Sequence, residues 1–107
     1  MNFNPFKYLG LASALIMMTS STAMAVTATG KISLYHLNAN VVGRGVCIKM
    51  NPSIQSPGNW ACLWQSNLLY TEITDLLLEG YSRGKTCSVN WSRNEGGYPY
   101  IEWAECS

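Results

Sequence analysis

Residues 30–37 read G-K-I-S-L-Y-H-L, with Ile32 and Leu34 alternating against Lys31, Ser33 and Tyr35. A period of two is the mark of a half-buried strand. Residues 38–40 are turn-like, Val41-Val42 opens the next apolar stretch, and Gly43-Arg44-Gly45 interrupts it. Two glycines there predict a bulge or a sharp bend. Val46, Ile48 and Met50 then alternate with Cys47 and Lys49 as a second strand. Residues 51–59 hold two prolines, one in a Pro-Gly pair, and read as a loop. Residues 60–65 form a short third strand, antiparallel to the second.

The period then changes. Leu69, Ile73, Leu76, Leu77 and Gly80 fall on one helical face, with Ser66 or Asn67 as the cap. Gly84 stands where a left-handed stop belongs, and Arg83 and Lys85 suit the negative end of the helix dipole. Leu69, Ile73, Leu76 and Leu77 are expected to plug the open end of a barrel. Glu72, Asp75 and Glu79 share another face, which usually means a solvated surface. Alternation returns over residues 86–92, with Cys87, Val89 and Trp91 on one side. Residues 93–97 (R-N-E-G-G) form a turn, and residues 98–106 a last strand with Pro99 near its start. The expected fold is mainly β with one helix, ordered β-β-β-α-β-β. That is the layout of a small five-stranded Greek-key barrel of the OB type.

The first 25 residues follow another logic. Lys7 precedes an apolar run over residues 8–18, a polar patch over 19–22, and Ala23-Met24-Ala25, a small-x-small cleavage signal. The run is too short for a bilayer anchor and no second one exists. The expectation is a signal peptide over 1–25, export to the periplasm or beyond, and one domain over 26–107. Taking 25 from the 107 residues leaves 82, few enough for cross-links to matter. Cys47, Cys62, Cys87 and Cys106 all lie in that part, so two disulfides are expected. Three pairings are open, and the sequence alone does not choose among them.

No C-x-x-C unit exists and His36 is the only histidine, so no metal or cofactor is expected. Without Lys7, six basic residues face six acidic ones and no basic stripe appears, which argues against nucleic acid. Enzyme chemistry finds little support. His36 has no nucleophile at a telling spacing, and oxidised cysteines are not nucleophiles. Glu102 and Glu105, three apart on an expected strand, point to opposite faces. All four tryptophans and five of the six tyrosines fall after residue 25. Trp91, Tyr98 and Tyr100, flanking the Gly96-Gly97 turn, are the candidate ligand-stacking residues.

Val46-Cys47-Ile48-Lys49, a loop, Ala61-Cys62 and a leucine-rich helix ending in Tyr81-Ser82-Arg83-Gly84-Lys85 form a further pattern. Over about residues 31–90 it is similar to the B subunits of pertussis-like and subtilase-type bacterial toxins. The resemblance implies an exported OB-fold subunit that binds cell-surface glycans, forms a homopentamer and serves a catalytic subunit. It implies a Cys47–Cys62 bond. Cys87–Cys106 is expected beside it, as both lie on consecutive strands where Cβ atoms come within range. In the ring, Glu72, Asp75 or Glu79 would face the central pore and meet a partner segment. No glycan-contact residue carries over. The serine that contacts sialic acid in such subunits has no counterpart before the first strand, and Asn51-Pro52 occupies the place of a lysine. The alternative is a small periplasmic accessory protein that binds another protein or an envelope component.

Overall fold

β1 spans Val26–His36, beginning well before residue 30. Its early start follows from serving two neighbours. Residues from Val26 to Lys31 pair antiparallel with β4 (Thr86–Trp91), and those from Lys31 to His36 pair with β2 (Arg44–Asn51). The register slips between Ile32 and Leu34, a bulge that lets one strand turn from one partner to the other. These strands belong to a computed structural model in which residues 24–107 are described. The expected leader over 1–25 lies outside them, apart from Met24 and Ala25.

Val41-Val42 does not open β2. It sits in a turn, with Val42 93% exposed. The bend foreseen at the two glycines is there, as a register shift between Arg44 and Cys47 against β3 (Ala61–Trp64). Between β2 and β3 a short 3-10 turn, Pro57–Asn59, is clipped to the sheet by the Asn59 side chain. Its oxygen accepts from the Met50 and Ile54 N–H groups, and its amide donates to the Met50 carbonyl.

The helix, α1, spans Tyr70–Arg83 and buries Ile73, Leu77 and Gly80 against the sheet. Leu76 is half-buried, and Leu69, at the cap position, is 52% exposed and plugs nothing. The helix starts after the expected caps, and the Asn67 side chain ties its lead-in to residues 101 and 102. Its Oδ1 accepts from the Leu69 N–H at 2.7 Å, while Nδ2 donates to the Ile101 and Glu102 carbonyls at 3.1 and 3.3 Å. Gly84 ends the helix in the left-handed conformation (φ 62°), as its position predicted. Gly80 is required for a different reason: a Cβ there would stand 2.5 Å from Cys87 Sγ and 2.8 Å from Cys106 Sγ.

The single last strand expected over 98–106 is divided. β5 (Asn94–Glu95) and β6 (Tyr98–Pro99) form a small hairpin, and β7 (Trp103–Cys106) joins the main sheet beside β4. The sheet order is β3-β2-β1-β4-β7, antiparallel throughout, and it is not closed into the expected barrel. β3 meets the segment before β7 only at one parallel bridge, Cys62 with Tyr100, where the Ile101 N–H donates to the Cys62 carbonyl at 2.9 Å. Successive donors there face different partners: Tyr100 N–H turns to the Arg93 carbonyl and Glu102 N–H to that of Asn90. Pro99 supplies no donor at all. A closing ladder therefore has no repeat to grow from.

The core lies between the inner face of the sheet and α1. Ile32, Val46, Ile48, Met50, Leu63, Ile73, Leu77, Val89 and Ile101 form it. Both expected disulfides are present, and in each the cysteines stand directly opposite across neighbouring strands, with Cα atoms 4.0 Å apart. Two such bonds in a small chain mark an oxidising, extracytoplasmic environment. Among the described residues no helix is long and apolar enough to cross a membrane.

Candidate functional site

The rows of the sheet place side chains together that are far apart in sequence. After the bulge in β1, His36 pairs with Cys47 and Cys47 with Cys62, giving one row across three strands. In the neighbouring row Leu34 pairs with Lys49, whose Nζ lies 4.6 Å over the ring of Trp60. His36 leans against the same ring, with centroids 5.3 Å apart and planes tilted by 52°. Arg44, at the start of β2, and Tyr98, from the β5–β6 hairpin, complete a cleft of about 200 Å³ floored by the Cys47–Cys62 bond.

Charge distinguishes this cleft from the rest of the molecule. Four of the six described lysines and arginines are engaged. Arg83 and Lys85 reach Glu79, Arg93 reaches Glu95, and Lys31 donates to the Gly84 carbonyl. Arg44 and Lys49 form no ion pair with any described residue; Arg44 lines the cleft, and Lys49 adjoins it only through the Trp60 ring that its ammonium covers. Arg44 Nε is also buried without an acceptor. No carboxylate lines the cleft. Two cations without counter-charge, a histidine and two aromatic rings can hold an anionic group against a ring face. Half-burial of the cleft strengthens that attraction relative to open water.

The three aromatics singled out from the sequence are not brought together. Trp91 is 6% exposed and faces the core, because β4 turns Cys87, Val89 and Trp91 to the same inner side. Tyr100 is buried beneath the Arg93 guanidinium, 3.9 Å from its ring centre, and its hydroxyl meets Ser66 at 3.0 Å. Only Tyr98 reaches the cleft. His36, Arg44 and Trp60 carry no motif that marks them, Lys49 figures in the sequence only as the end of the Val46–Lys49 pattern, and it is strand register that collects them.

Glu72, Asp75 and Glu79 are all exposed along α1. Glu79 is held by Arg83 at 3.6 Å and by Lys85 at 3.7 Å. The Tyr35 hydroxyl points to the Thr74 carbonyl at 3.5 Å. Burial, then the Asp75 charge, pushes the Tyr35 phenol above its ordinary value. Comparison with family models, curated proteins and solved structures finds no match.

Proposed function

We propose that this chain is an exported, non-enzymatic binding domain that takes an acidic glycan in the His36–Arg44–Trp60–Tyr98 cleft. The observation that carries the reading is an aromatic cleft lined by the unpaired Arg44 and by no carboxylate, with the second unpaired cation, Lys49, over its Trp60 wall. A sugar ring suits the Trp60 and Tyr98 faces, and an acidic substituent suits Arg44 and Lys49. On the resemblance to toxin B subunits, the domain works as the glycan-binding part of a secreted assembly, five copies around a pore that receives a catalytic partner. The fold belongs in this reading to the OB type. Three features favour it: a long first strand shared by two neighbours, a helix between the third and fourth strands of the sheet, and the Cys62–Tyr100 bridge where closure would occur.

A glycan array that pairs acidic sugars with their neutral parents tests the reading. Acidic glycans are expected to bind, more weakly at high salt. Arg44→Ala is expected to lower their affinity about tenfold or more, the loss of a charge-assisted hydrogen bond. Acidic glycans that bind Arg44→Ala as well as the parent protein would overturn the assignment.

A further inference from the structure

The other half of the sheet presents a face of opposite character. In β1, β4 and β7 the outward positions form two complete rows, Thr29–Ser88–Glu105 and Thr27–Asn90–Trp103. The first row joins Thr29 and Ser88 hydroxyls at 2.7 Å. In the second, Asn90 Nδ2 donates to Thr27 Oγ1 at 2.9 Å, which fixes an amide that is only 6% exposed. Trp103 stands at the end of that row with 42% of its surface open. Beside it lies a hollow of about 330 Å³ lined by Thr29, Thr86, Ser88 and Glu105.

We propose that this face is a second sugar subsite, taking a neutral saccharide of two or more rings. The proposal rests on the reading of the domain as a glycan binder. Trp103 and Glu105 lie two apart on one strand and on the same side, about 7 Å from each other. One ring packs its C–H face on the indole while the next enters the hollow. Glu105 has no ion pair with any described residue, and its two oxygens accept from neighbouring sugar hydroxyls. The Thr29 and Ser88 hydroxyls, each donor and acceptor, meet groups that are also both. An acidic sugar is disfavoured because Glu105 repels it. Lys31, the cation nearest in register, is held by the Gly84 carbonyl at 2.6 Å. The cleft therefore selects acidic members, and this face neutral members, of the same polymer class.

Nuclear magnetic resonance titration of the labelled protein with lactose, maltose and chitobiose tests this. At least one disaccharide is expected to shift the Trp103 indole N–H and the Ser88 and Glu105 amides, with dissociation constants in the millimolar range. Glu105→Gln and Trp103→Ala are each expected to weaken that binding about tenfold, and Arg44→Ala to leave it unchanged. Glu105→Gln is nearly isosteric, so the test does not depend on the tryptophan variant folding. If no neutral disaccharide shifts these signals at saturation, or if both variants bind as the parent does, the subsite is overturned. Shifts centred on Trp60 and His36 instead would also overturn it, and would move the neutral sugar to the cleft. Loss of acidic-glycan binding with these shifts intact would strike the cleft assignment alone.

Discussion

Cys47–Cys62 and Cys87–Cys106 are the same bond in the same strand geometry, yet they face opposite ways. Each joins directly opposed residues of neighbouring antiparallel strands. Cys47–Cys62 points outward, where His36, Trp60 and Tyr98 cover it and make it the floor of the cleft. Cys87–Cys106 points inward and lies against α1, so close that residue 80 has no room for a side chain. Parity along the strand decides the difference. The outer bond shapes a surface, whereas the inner one sets the distance between helix and sheet.

Removing the inner bond is the harshest way to break this comparison. Cys87→Ala with Cys106→Ala is expected to cost on the order of 4 kcal/mol, from loop entropy and from the void left beneath the helix. Cys47→Ala with Cys62→Ala is expected to cost on the order of 3 kcal/mol, nearly all of it entropic. It is also expected to weaken acidic-glycan binding, which the inner pair leaves intact at temperatures where the variant is folded. Urea unfolding of both pairs, with binding measured alongside, checks the two halves together.

Gly80→Ala sharpens the contrast. In the parent protein the added methyl meets two sulfurs that the disulfide holds in place, and a loss of about 1–3 kcal/mol is expected. In the background lacking Cys87 and Cys106 that loss should vanish, since alanine is the better helix former. In the background lacking Cys47 and Cys62 it should persist in full, because the sites are independent. Thermal melts of the six proteins, three backgrounds each with Gly80 or Ala at position 80, form the two cycles.

Much of this architecture is legible in the residues, and the parts that are not share one cause. Alternation located β2 and β4, the Pro- and Gly-rich loop ahead of β3 bounded that strand, and Gly84 marked the end of α1, because each signal is local. Leu69 misled, since it continues the helical period into a cap that Asn67 draws toward residues 101 and 102. The division of residues 98–106 depended on where three successive N–H groups find acceptors, in segments far from them in sequence. The cleft was hidden for the same reason. His36, Cys47 and Cys62 become a row only once β1 has slipped its register, and nothing near Ser33 announces that bulge. Trp91 stands beside a turn yet is buried, as its alternation with Cys87 and Val89 already implied.

The smallest effect expected is one of pH. Burial and Asp75 raise the Tyr35 phenol above its ordinary value of 10.0, so the folded state keeps a proton that the unfolded chain gives up. Stability from this source is complete below that value and declines as pH climbs through and beyond it. Tyr35→Phe should flatten the alkaline arm of a denaturation profile while altering neutral stability little. An unchanged slope would mean that the fold leaves the phenol unperturbed.

β1 also determines the order in which the chain can assemble. Its second half, with β2 and β3, is contiguous in sequence, and those pairings close short loops. Its first half must find β4 from the far side of the helix, as when Val26 meets Trp91. Loop closure grows more unfavourable with the length enclosed, and distant pairings slow the overall rate. The β1–β2–β3 meander is thus positioned to nucleate. The Thr27–Asn90–Trp103 and Thr29–Ser88–Glu105 rows exist only after the last contact is made. The His36, Arg44 and Trp60 walls of the cleft thus need only the local meander, whereas Tyr98 and the face that carries Trp103 need the chain beyond the helix.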